Sequence, residues 1–200
     1  MVSMGVRKVA VTGVLSAVVI VLGITRLGFI TLPLGSIIIM HVPVILGAVL
    51  EGPVVGLVTG FLFGLFSLIQ AAISAASPLD AAFVNPLFSI VPRLFIGPGA
   101  WLIYALASGN FGGSEKHSGV VRETAGIAAA AVGGTLINTA LVLSLLGAFK
   151  VLPWEIIALA AVTNAPVEAG TAAVITLAVA LSWKRIRPGR SRLSRERNPA

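Results

Sequence analysis

Apolar runs of about 20 residues, the length that crosses a bilayer core as a helix, recur along the whole of this chain and constrain its fold more than any other feature. A bilayer core offers backbone N–H and C=O groups no water, so a crossing chain must pair them internally, in helices or in a closed barrel. The alternation of polar and apolar residues that marks barrel strands is absent. Spans fit near 7–25, 37–50, 53–73, 84–108, 120–149 and 153–183. The second is short for a full crossing, and the last two are long enough to tilt. Composition agrees, with 57% hydrophobic residues, 10% charged residues and a mean hydropathy of +1.03, well outside the soluble range. The expected fold is an all-α membrane protein with six transmembrane helices over 1–183, followed by a basic tail over 184–200. Arg7 and Lys8 precede the first run as they would in a secretory signal. That run is long enough to span and no small-residue cleavage site follows, so it is read as a retained helix.

Lys and Arg near span ends accumulate on the cytoplasmic face. Six spans place Arg7, Lys8, Lys116, Arg122 and the basic residues at 184, 185, 187, 190, 192, 195 and 197 on one side, against Arg26 and Lys150 on the other. Both termini are therefore expected in the cytoplasm of a prokaryotic cell, with the chain in the plasma membrane. The tail "KRIRPGRSRLSRERNPA" reads as a topology anchor drawn to anionic lipid rather than as a nucleic-acid site.

Several function classes lack their residues. There is no Cys, no H-E-x-x-H pair, no serine nucleophile with a base beside it, and Asp80 is the only Asp. No catalytic residue, metal site or cofactor is expected. Two small-residue patterns point instead to packing. Gly52, Gly56, Gly60 and Gly64 recur every four residues, which aligns them on one helix face and lets another backbone approach. Ala10, Gly13 and Ala17 form a second small patch on the first helix, suited either to internal packing or to docking another membrane protein.

Polar side chains at membrane depth are costly unless they are paired or face a cavity, which makes each a functional candidate. They are His41, Gln70, Asn85, Arg93, Asn138, Asn164 and Glu168. At about 1.5 Å per residue, Arg93, Asn138 and Asn164 lie at similar depth, and Glu168 is one turn from Asn164 on the same face. Pro92 removes a backbone donor beside Arg93, with Pro86 and Pro98 bracketing the stretch, so the fourth helix is expected to be irregular there and to line a pocket. The first loop, with Arg26, Thr31, Pro33 and Gly35, is long enough to cover the mouth. Structural alternatives stand beside this reading: an Arg93–Glu168 ion pair, and Asn138 and Asn164 as interhelical hydrogen-bonding groups.

The segments "LPLGSIIIMHVPVILGAVLEGPVVGLVTGFLFGL", "NPLFSIVPRLFIGP" and "TNAPVEAG", in that order, resemble the substrate-binding S components of energy-coupling factor (ECF) vitamin transporters, especially the branch for pantothenate and related vitamins. The resemblance runs from the first helix to about Ala180. It implies a monomeric vitamin binder that loads from outside beneath the first loop and topples in the membrane to release its cargo. It also implies docking, through Ala10, Gly13 and Ala17, on a transmembrane coupling subunit carrying two cytoplasmic ATPases. Gly13 stands where the family pattern has alanine. The chain contains no G-x-x-x-x-G-K-[ST] phosphate loop, in keeping with ATPases supplied by partners. A buried arginine favours an anionic ligand. Pantothenate suits Arg93 with Asn138, Asn164, His41 and Asn85, whereas folate calls for stacking aromatics, which make up only 6% of the chain. A neutral or cationic vitamin would instead use Glu168; folate, pyridoxine-type and cobalamin-type vitamins are the alternative substrates. A stand-alone secondary transporter or channel is the remaining alternative, and it calls for paired broken helices.

Overall fold

The shortest of the deep helices lies at the centre of the molecule. In the computed structural model, which describes residues 5–25, 27–32, 35–74, 78–109 and 120–185 (of 29–32, 35–37, 74, 78–79 and 184–185 the backbone only), helix α1 (Val6–Ile24) leads into a hairpin of β1 (Phe29–Leu32) and β2 (Gly35–Ile38). Helices α2 (Val42–Glu51), α3 (Pro53–Ser74), α4 (Pro78–Ala82), α5 (Pro86–Ser89), α6 (Val91–Ser108), α7 (Val120–Ala148) and α8 (Trp154–Arg185) follow. Every residue of α2 from Val42 through Val49 is buried. A helix that is apolar all round has no face to give to lipid or water and goes to the core. There α2 touches α1, α3, α6, α7 and α8.

Those five neighbours are inverted relative to a soluble bundle. Val14, Ile24, Ile73, Leu159 and Val174 are exposed on their outer faces, as suits lipid contact. Among the described residues, Val6–Ile24, Pro53–Ile73, Pro86–Ser108, Val120–Ala148 and Trp154–Trp183 are long and apolar enough to cross a membrane, and Val42–Glu51 is a shorter apolar helix. The bundle is an all-α membrane fold with one small hairpin.

Two expectations need correction. The second span was placed at 37–50, but its first residues belong to β2, which pairs antiparallel with β1 in the register Phe29 with Ile38 and Leu32 with Gly35. The helix starts only at Val42, with Pro43 in its first turn, where a missing N–H costs nothing. The glycine ridge is also shorter than its spacing implied. Gly52 lies outside α3 with φ of 103°, at the turn that reverses the chain from α2 into α3, because a residue before proline is disfavoured in the α conformation.

Gly56, Gly60 and Gly64 do form a ridge, and it sets the position of Arg93. The path of α6 runs antiparallel along it: a Cβ on Gly56 would strike the Gly97 backbone, one on Gly60 the Arg93 carbonyl, and one on Gly64 the Ile90 backbone. Backbones in lipid approach this closely only where side chains are missing.

The irregularity expected around Arg93 falls at Ile90, between α5 and α6. Pro92 thus sits in the first turn of α6. At the opposite end of α2, Arg7 pairs with Glu51, tying the start of α1 to the α2–α3 turn. From that tie the ten residues of α2 rise about 15 Å, roughly half the thickness of a hydrocarbon core. With the Arg7–Glu51 pair at a membrane surface, that rise would bring His41, at the head of α2, to mid-depth beneath the hairpin. Irregular backbone at such depth is tolerated where protein buries it. Of the residues named for the covering loop, Arg26 and Pro33 lie outside the described residues, as do Lys116 and the tail from 186 onward.

Candidate functional site

Arg93 is 6% exposed, so each of its donors needs an account. Pro92 has no N–H to give the carbonyl of Phe88 four residues earlier, and the Nη1 of Arg93 donates to that same carbonyl. The proline thereby creates the acceptor that holds the neighbouring arginine. Two aromatic rings fix the guanidinium: Phe63 of α3, with its centroid 5.4 Å away, and Phe83, at 5.1 Å. A desolvated cation–π contact of this kind is worth about 2 kcal/mol. Phe83 precedes α5 and is itself held by Ser89, whose hydroxyl donates to the Phe83 carbonyl. With Nη1 engaged, the edge formed by Nε and Nη2 remains, the side of the fork that pairs a carboxylate with two parallel bonds. Nε has no hydrogen-bond partner among the described residues.

His41 is fully buried at the head of α2, with its Nε2 2.9 Å from Thr135 Oγ1 of α7. It lies within electrostatic reach of Arg93. Its Nδ1 has no partner among the described residues. Asn138 lies one turn beyond Thr135 on α7, 7% exposed, and its Oδ1 is likewise unpartnered. Buried polar atoms nearly always find partners. Here Arg93 Nε, His41 Nδ1 and Asn138 Oδ1 are all left with capacity to spare.

Glu168 of α8 is engaged elsewhere. Its Oε1 accepts from the Ile38 N–H at the end of β2, 3.0 Å away, and its Oε2 accepts from Thr139 Oγ1 at 3.4 Å. The carboxylate thus bridges the hairpin, α7 and α8. Arg93 and Glu168 do not pair with each other among the described residues. Asn164, one turn before Glu168 and across Pro166, is half-buried. Asn85 is exposed and caps α5, its Oδ1 accepting from the Leu87 N–H at 2.9 Å. Gln70 reaches from α3 to the Gly23 carbonyl at the end of α1.

On α1 the buried face consists of Thr12, Ser16, Val19 and Gly23. Ala10, Gly13 and Ala17 lie on the other face, all exposed, and a Cβ on Gly13 would meet no atom within 4 Å. Internal packing, one of the two uses open to this patch, is therefore not what it does here.

A family model described as ECF transporter, substrate-specific component, matches residues 7–180. The chain belongs to that family. No curated protein matches the sequence. As the substrate-specific component of an ECF transporter, the protein is a membrane subunit that takes a small-molecule substrate and works with an ECF module.

Four residues of this candidate site carried no signal in the sequence. Thr135 and Thr139 flank Asn138 on the same stretch of α7, but helical threonines usually return their hydroxyl to the backbone one turn earlier. Phe63 and Phe83 lie thirty and ten residues before Arg93, and only their convergence on the guanidinium gives them a role.

Proposed function

We propose that this S component captures a small anionic B vitamin, with pantothenate the best fit, from the outer side of a prokaryotic plasma membrane. Delivery inward is driven by a coupling subunit and two ATPases. One observation carries the substrate reading: Arg93 Nε, His41 Nδ1 and Asn138 Oδ1 are buried and unpartnered among the described residues, with His41 bonded to Thr135 one turn from Asn138. A ligand that binds there satisfies them, and the free edge of Arg93 matches a carboxylate. Pantothenate carries one carboxylate for that edge, with an amide and two hydroxyls for His41, Asn138 and Asn164. Asn85, engaged in its cap, stands toward the rim of the site.

Glu168 we assign to holding the hairpin rather than to the ligand, because both of its oxygens already have protein donors. This weighs against the neutral or cationic vitamins that would call on its charge. The outward face of α1 at Ala10, Gly13 and Ala17 is assigned to the coupling subunit, supported by its exposure. In this reading Arg7 and both termini lie on the cytoplasmic side.

Mass spectrometry of the small molecule that co-purifies with the full chain tests the substrate assignment. A hydroxylated or amide-bearing carboxylate is expected, and a cationic or uncharged vitamin would overturn it.

A further inference from the structure

The hydrogen bonds around His41 fix which of its ring nitrogens faces a ligand, and in which sense. Thr135 Oγ1 lies 2.8 Å from the carbonyl oxygen of Ala131. Two oxygens approach that closely only with a proton between them, and the only proton available is that of the threonine hydroxyl. The hydroxyl is thus spent as a donor on its own helix. Toward His41 Nε2, 2.9 Å away, it can only accept. Nε2 therefore carries the ring proton, and in the neutral imidazole Nδ1 is a bare lone pair. That lone pair is fully buried and has no partner among the described residues. Asn138 Oδ1, one turn along α7, is a second buried oxygen with the same need. Arg93 Nε supplies the opposite need, a donor seeking an acceptor.

We infer that His41 is a specificity-determining hydrogen-bond acceptor, set by Thr135, that selects an anionic ligand carrying a hydroxyl donor. This rests on the anion-binding reading above and narrows it, since it rejects carboxylates that present only acceptors. Discrimination of this kind is strong, because a ligand lacking the donor leaves a desolvated lone pair unmatched.

The test has two arms on the purified full chain. In the first, ring ¹⁵N NMR reads the tautomer without any ligand. The chain has only one other histidine, His117, so a His117→Gln variant assigns the spectrum. A proton on Nε2 is expected, and a proton on Nδ1 overturns the inference. In the second, calorimetric binding of pantothenate is compared with that of its analogue in which both hydroxyls are replaced by hydrogen. Wild type should prefer pantothenate by about tenfold or more. His41→Phe should bring the ratio close to one, while His41→Asn, which places an amide oxygen where Nδ1 was, should keep it. Equal binding of both compounds by the wild type overturns the inference. Failure of pantothenate to bind the wild type at all overturns the vitamin named above, while the ring tautomer still decides the acceptor role.

Discussion

Under the proposed function, Arg93 combines a structural and a functional demand in one side chain. One of its donors supplies the Phe88 carbonyl that Pro92 leaves open, two phenylalanine rings hold its plane, and Nε has no partner among the described residues. Lysine cannot reproduce this, since it lacks both the fork and the flat surface. Arg93→Lys is therefore expected to lose most of the affinity that Arg93→Ala loses, as measured by calorimetric titration. Glu168 acts at the same scale on the hairpin. A carboxylate hydrogen bond is worth about 1.5–3 kcal/mol against about 0.5–1.5 for a neutral one, so Glu168→Gln should speed ligand release about tenfold. Radioligand dissociation reads this, accompanied by faster amide exchange at Ile38. Unchanged exchange at Ile38 would contradict the role given to Glu168. Arg93, His41 and Asn138 were legible in the sequence because polarity at membrane depth is rare. Thr135, Thr139 and the two phenylalanines were not, because such residues are ordinary in any membrane helix and acquire meaning only from what faces them.

At the scale of elements, the α3 ridge places α6. Adding a methyl at Gly60 pushes on the Arg93 carbonyl, which is backbone and cannot rotate away. Gly60→Ala should cost about 1–3 kcal/mol through overpacking, lowering the thermal midpoint in detergent and weakening ligand binding with it. Gly13→Ala, with open space around it, should leave the midpoint unchanged or slightly raised. The same elements show where sequence reasoning falls short. Within "GSIIIMHVP" the apolar run from Ile37 to Met40 is too short for periodicity to separate strand from helix, and β2 was absorbed into the second span. Its β-branched isoleucines and Pro43 were the available signals. Gly52 fitted the four-residue spacing, yet Pro53 after it was the better guide.

For the whole molecule, the proposed assignment puts substrate binding on the inward polar groups and docking on the outward α1 patch. Val19 on the buried side of α1 belongs to the core, while Gly13 faces away from it. Filling the outer patch with Gly13→Trp should leave substrate affinity within about twofold, since surface changes away from packed features shift free energies by roughly 0.5 kcal/mol or less. The same variant should abolish co-purification with the ECF module. Loss of both properties together would contradict the division.

The central claim is that Arg93 holds an anionic vitamin in the bundle. Calorimetric titration of pantothenate into the purified wild type and into Arg93→Gln tests it most directly. Truncating one partner of a buried charged pair costs about 2–5 kcal/mol, so the variant should bind at least about 30-fold more weakly. Undiminished affinity in Arg93→Gln would contradict it.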